Sequence, residues 1–139
     1  MKTSDSINWH TKDPEVFEFL ATSFDVREAK KILVAKPREI HTARTTDVEG
    51  MIGMIRIERG EVEVRPEKFD TSIPLIVASF YESSKLVIDG WHRIAKANRL
   101  LIEVLPIVIL TEEETLAIMR GAGKRSLARK ARIREKIKP

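Results

Sequence analysis

The chain of 139 residues has no cysteine. That absence removes disulfides, thiolate nucleophiles and cysteine-ligated zinc, and it suits a reducing cytoplasm, the expected location. Long apolar runs are missing too. The longest, LLIEVLPIVIL, is broken by Glu103 and Pro106 and is too short to span a bilayer. The opening MKTSDSINWHTKDPE lacks the apolar core of a signal peptide, so a soluble protein is expected. His10, His41 and His92 share no metal-ligand spacing, which argues against a zinc site. The sequence contains no internal repeat and no low-complexity segment.

What is present reads as one soluble domain, 42% hydrophobic and 33% charged. The net charge of +4 is unevenly placed. Residues 120–139 hold nine Lys or Arg against one Glu, a local +8, which leaves −4 on residues 1–119. A mildly acidic body thus carries a basic tail. Nucleic-acid affinity would reside in the tail, with Lys124, Arg125, Arg129, Lys130, Arg132 and Arg134 as its phosphate contacts. The same tail also reads as a partner-docking segment or a solvated terminus.

Asp13-Pro14-Glu15 has the form of a helix start, with Val16, Phe17, Phe19 and Leu20 as its apolar side. Asp25 and Glu28 resemble a capping box opening a second short helix, which ends near Lys36-Pro37. MIGMIRIERGEVEVRP reads as a hairpin turning at Arg59-Gly60. IPLIVASF is a strand with apolar residues on both faces, and after a turn at Tyr81–Lys85 LVID forms a second. WHRIAKANRLL follows as a helix, with Ile94, Ala97 and Leu101 on one face and His92, Lys96 and Arg99 on another. EVLPIVIL is a third strand, in which Pro106 implies an edge or an irregular start. Thr111–Glu114 is a capping box for a helix running through Met119. That account also explains Glu112, Glu113 and Glu114 better than a metal cluster does.

The chemistry concentrates in LVIDGWHR, where a strand runs directly into a helix. A helix N-terminus presents unpaired N–H groups and the positive end of the macrodipole. Gly90 permits close approach, and Arg93 and His92 add donors suited to phosphate. Asp89 is placed to cap the helix or to hold a water on a bound magnesium ion. An ordinary Asp-Gly turn with Trp91 as a core anchor accounts for the same residues. Trp9 likewise reads as a packing residue rather than a base-stacking platform.

The stretch VEVRPEKF…IPLIVASFYESSKLVIDGWHRIAKANRLLIEVLPIVILTEEET resembles the ParB/sulfiredoxin-like superfamily, the ParB-like nuclease domains, over residues 61 to 118. The resemblance implies an α+β fold with a small mixed sheet and flanking helices. It divides the chain into a domain over 1–119, of which 1–50 is a mainly helical extension and 61–118 the core, and a tail over 120–139. Sulfiredoxins bind ATP phosphates with a Gly-Cys-His-Arg turn; Gly90, His92 and Arg93 match, and Trp91 replaces the cysteine nucleophile. ParB proteins bind CTP through Gly-Glu-Arg-Arg, of which Gly90 and Arg93 match. The free serine kinases of this fold carry an Asp-Gly-His-His-Arg-like turn, matched at Asp89, Gly90, His92 and Arg93.

The expectation is therefore a nucleotide-binding protein, taking ATP or another nucleotide with Mg2+. Gly90, His92 and Arg93 would hold the phosphates, and Asp89 and His92 would be catalytic if the protein is a phosphotransferase or NTPase. Such an enzyme needs a further carboxylate, for which Asp47, Glu49 and Glu67 are candidates, each also readable as a surface charge. A DNA-binding protein or nuclease using the basic tail, and a non-catalytic partner-binding module, are the alternatives.

Overall fold

A computed structural model describes residues 2–11, 14–19, 21–49, 69–80 and 84–137. It is a mixed α+β arrangement of two small sheets and five helices among those residues. The first sheet joins β1 (Val16–Phe19), β2 (Thr22–Asp25) and β7 (Met119–Gly121) in the order β1-β2-β7, antiparallel throughout. The second joins β3 (His41–Arg44), β4 (Leu75–Phe80), β5 (Ser84–Asp89) and β6 (Val104–Ile109) in the order β3-β6-β4-β5. In it β4 and β6 run parallel, and the other two pairings are antiparallel.

The second sheet is buried on both faces, as IPLIVASF requires. Strand residues alternate between faces, so Ile76, Ala78, Leu86, Ile88 and Val108 enter one apolar cluster with Trp9, Phe24 and Leu33. Leu75, Val77, Val87 and Leu105 enter the other, under helix α3 (Trp91–Arg99), with Trp91, Ile94 and Ala97. Helix α1 (Val26–Ala35) turns Val26, Ala29 and Leu33 inward. It begins where Asp25 accepts a hydrogen bond from the Glu28 N–H at 3.0 Å. Helix α4 (Glu112–Ile118) opens on a complete capping box of Thr111 and Glu114. Helix α2 (Thr45–Glu49) is a single turn following β3, and helix α5 (Ala122–Ile137) closes the chain.

Four expectations change. Val16–Phe19 is a strand, not a helix, because it pairs residue for residue with Thr22–Asp25. Helices α1 and α2 are thus interspersed with three strands in residues 14–49, where a mainly helical extension was expected. Strand β6 is interior, which removes the edge reading of Pro106 and leaves the irregular start: its register with β4 begins only at Ile107, so the missing N–H falls outside that ladder. Leu101 lies beyond the end of α3 with φ of 59° and is 85% exposed, so it does not continue the buried face of Ile94 and Ala97. The Arg59-Gly60 hairpin lies outside the described residues. None of the helices among the described residues is long and apolar enough to cross a membrane.

Candidate functional site

Strand β5 ends at Asp89, Gly90 is the N-cap of α3, and α3 starts at Trp91. Gly90 has φ of 107°, and a Cβ there would stand 2.4 Å from Leu75 Cδ2. The left-handed backbone favours glycine, and any larger residue would also have to displace the end of the Leu75 side chain. Asp89 is thus one residue ahead of the N-cap. Its Oδ2 accepts from Arg93 Nη2 at 2.8 Å, one turn on, with both side chains 1% exposed. Arg93 Nη1 donates to the carbonyls of Ile73 at 2.7 Å and Pro74 at 2.8 Å.

This guanidinium thus ties the end of β5, the start of α3 and the entry to β4 into one unit. A buried charge is tolerable only when paired and hydrogen-bonded, and here both conditions hold. Trp91 is buried, donates from Nε1 to the Val87 carbonyl at 2.8 Å and stacks on Phe17 at 6.3 Å. His92 is half-buried and lies parallel to Phe69, ring centres 4.9 Å apart. Lys96, a turn further along, donates to the Phe69 carbonyl at 2.6 Å.

Against this unit lies a cavity of about 430 Å³. Three segments form its wall: Ser6, Ile7, Asn8, His10 and Thr11; Phe69, Asp70, Ser72 and Ile73; and Arg93. Of the four turn residues expected at a ligand site, Arg93 lines the cavity, whereas Asp89, Gly90 and His92 do not. His92 instead supports Phe69 from behind the wall. The N-terminal segment is fixed there by backbone pairing with residues 38–40: the Ser4 N–H donates to the Arg38 carbonyl and the Ile40 N–H to the Lys2 carbonyl, both at 2.8 Å.

Asp70 is the carboxylate that sequence reasoning missed. Its Oδ1 accepts from the Ser72 hydroxyl at 2.6 Å and the Ser72 N–H at 2.9 Å. Ser72 thereby holds the Asp70 carboxyl below its ordinary value, and the nearby charges of Lys96 and Arg93 act in the same direction. The Asp-Thr-Ser spacing ahead of Ile73-Pro74 is a turn signal legible in sequence. Its position beside Ser6–Thr11 is not.

Of the other acidic candidates, Asp47 is exposed in α2, the side chain of Glu49 lies outside the described residues, and so does Glu67. No group of three or more His, Asp or Glu side chains able to hold a metal ion occurs among the described residues.

The basic segment is not a loose tail where it begins. Arg120 lies in β7, and α5 is docked by Leu127, 1% exposed. The Gly123 N–H donates to Thr22 Oγ1 at 2.9 Å. Arg125, Arg129 and Arg132 are exposed and Lys124 is half-buried. Lys130 and Arg134 fall within α5, their side chains outside the described residues.

The fold and site define a mixed α+β protein with a cavity of mixed polar and apolar lining beside a strand-to-helix turn. No family model, curated protein or solved structure matches the chain.

Proposed function

We propose that this protein binds a nucleotide or another phosphate-bearing small molecule in the cavity beside the Asp89–Arg93 turn. The observation that carries this reading is the composition of the wall. Beside Arg93, held by Asp89 and two carbonyls, the wall carries Ser6, Asn8, His10, Thr11 and Ser72, all with side chains able to hydrogen-bond a ligand. A volume of about 430 Å³ is in the range of small-ligand sites. Arg93, spent on Asp89 and the two carbonyls, fixes the geometry of the wall, and the hydroxyl, amide and imidazole side chains of the neighbouring segments would orient a ligand. The ParB/sulfiredoxin-like resemblance of the turn favours the same class of ligand.

Asp70 gives the site a second role. Hard oxygen donors of this kind suit a magnesium ion held jointly with phosphates, so Asp70 is the residue that would meet a cation entering with the nucleotide. If the ligand reacts, the chemistry is phosphoryl transfer or NTP hydrolysis. Asp70 would then serve as the electrostatic group rather than as a base poised near neutrality, because Ser72 keeps it ionised.

The test is a thermal-shift panel of ATP, ADP, CTP, GTP and pyrophosphate, with and without magnesium. Binding to the native state alone raises the melting temperature in proportion to the logarithm of ligand concentration. Wild-type protein should shift with at least one of them, and His10→Ala and Ser6→Ala should lose the shift while melting normally without ligand. Arg93→Ala is the wrong control here, since its loss would unfold the turn. Absence of any shift at millimolar ligand would sink the proposal.

A further inference from the structure

We infer that helix α5 is a docking surface for duplex nucleic acid, contacting the phosphate backbone through one stripe of arginines without reading bases. Arg125, Arg129 and Arg132 are exposed and spaced by four and three residues, so they share one side of the helix. Leu127, two residues from Arg125, points to the opposite side and is sunk in the core. The contact of Gly123 with Thr22 further fixes which way the stripe faces: a Cβ on Gly123 would stand 2.3 Å from Thr22 Oγ1. The stripe is therefore held outward by the body of the protein.

Its charges are arranged against the helix's own interest. No acidic residue occupies the first turn, where the macrodipole favours one; Lys124 and Arg125 stand there instead. Arg125 and Arg129 are an (i, i+4) like-charge pair, and Arg129 and Arg132 an (i, i+3) pair. Among the described residues no ion pair engages the three. A polyanion relieves all of these repulsions together. At a rise of about 1.5 Å per residue the stripe is about 10 Å long, over which a duplex presents roughly six phosphate charges. Each arginine can thus meet a separate phosphate. The local +8 of residues 120–139 against the −4 of the remainder makes this helix the face a polyanion would approach.

The experiment is fluorescence anisotropy of a labelled mixed-sequence duplex against the full chain, from 20 to about 200 mM KCl. The comparison is with the triple variant Arg125→Gln, Arg129→Gln, Arg132→Gln. Wild-type protein should bind at low salt with a slope of log affinity against log salt of about −3 or steeper, from about −0.9 per neutralised phosphate. The triple variant should bind at least tenfold more weakly, with a slope shallower by about 2.7. Each single variant should flatten the slope by about 0.9, which keeps the assignment testable if the triple variant folds poorly. Failure of wild-type protein to bind at 20 mM salt overturns the inference. So does an unchanged slope in every variant, or binding to phosphatidylserine vesicles with none to duplex.

Discussion

The arginine of the turn and the arginines of α5 are the same side chain put to opposite uses. Arg93 is 1% exposed, and its guanidinium is divided between Asp89 and the carbonyls of Ile73 and Pro74. Arg125, Arg129 and Arg132 are exposed on one side of a helix and are like-charged neighbours of one another. Arg38 stands between these extremes: it lies partly buried, holds Glu114 in a two-pronged contact and donates to the Ile109 carbonyl at 3.1 Å. The difference teaches that charge alone does not mark a ligand site. A guanidinium satisfied by its own protein builds geometry, and one left in solvent offers its charge to a partner.

That contrast can be broken most directly at the turn. Arg93→Ala or Asp89→Ala should each destabilise the fold by about 3–5 kcal/mol in urea titrations, because each strands a buried charge. The double variant Asp89→Leu with Arg93→Met should cost less than either single change. If it costs their sum, the pair is not acting as a unit.

Gly90→Ala comes next, at about 2–3 kcal/mol, from a left-handed φ and a Cβ set against Leu75. An unchanged denaturation midpoint would mean that Gly90 does not hold the left-handed conformation.

Arg38 sharpens the middle case. Its hydrogen bonds hold the Glu114 carboxyl below the usual carboxylate value, outweighing the upward effect of burial. A depressed folded-state value means stability that is complete above the unfolded value of about 4.3. It is lost as pH falls through the folded one. Glu114→Gln should therefore cost about 2 kcal/mol at neutral pH. Its deficit relative to wild type should shrink steadily below about pH 4. A deficit that stays constant into acid would separate Glu114 from the effect.

The smallest change is expected on α5, where single Arg125→Gln, Arg129→Gln or Arg132→Gln should move stability by no more than about 0.5 kcal/mol, toward greater stability if anything. A loss above 1 kcal/mol would show that these side chains are structural after all.

Local signals in the chain were dependable where a few neighbouring residues carry the whole effect. Asp25 with Glu28 and Thr111 with Glu114 open helices because a side-chain oxygen and an N–H three residues on need nothing else to meet. The two-sided apolarity of Leu75–Phe80 announced a strand covered on both faces, since half of it could not otherwise leave water. Val16–Phe19 failed the same kind of reading. Four residues are too few to distinguish helical from strand spacing, and the decision came from pairing with Thr22–Asp25.

The sequence by itself determined the punctuation of the fold, the glycine turn after β5 and the separation of an acidic body from a basic end. These depend on backbone conformation, solvation and charge within a few residues. Only the tertiary structure decided that Arg93 faces inward to Asp89, Ile73 and Pro74. Only it brought Ser6–Thr11 against Asp70 and Ser72 around a cavity, and turned Arg125, Arg129 and Arg132 outward by burying Leu127. The reason is physical: a charged side chain's role is set by what solvates it, and its solvating partners come from distant parts of the chain.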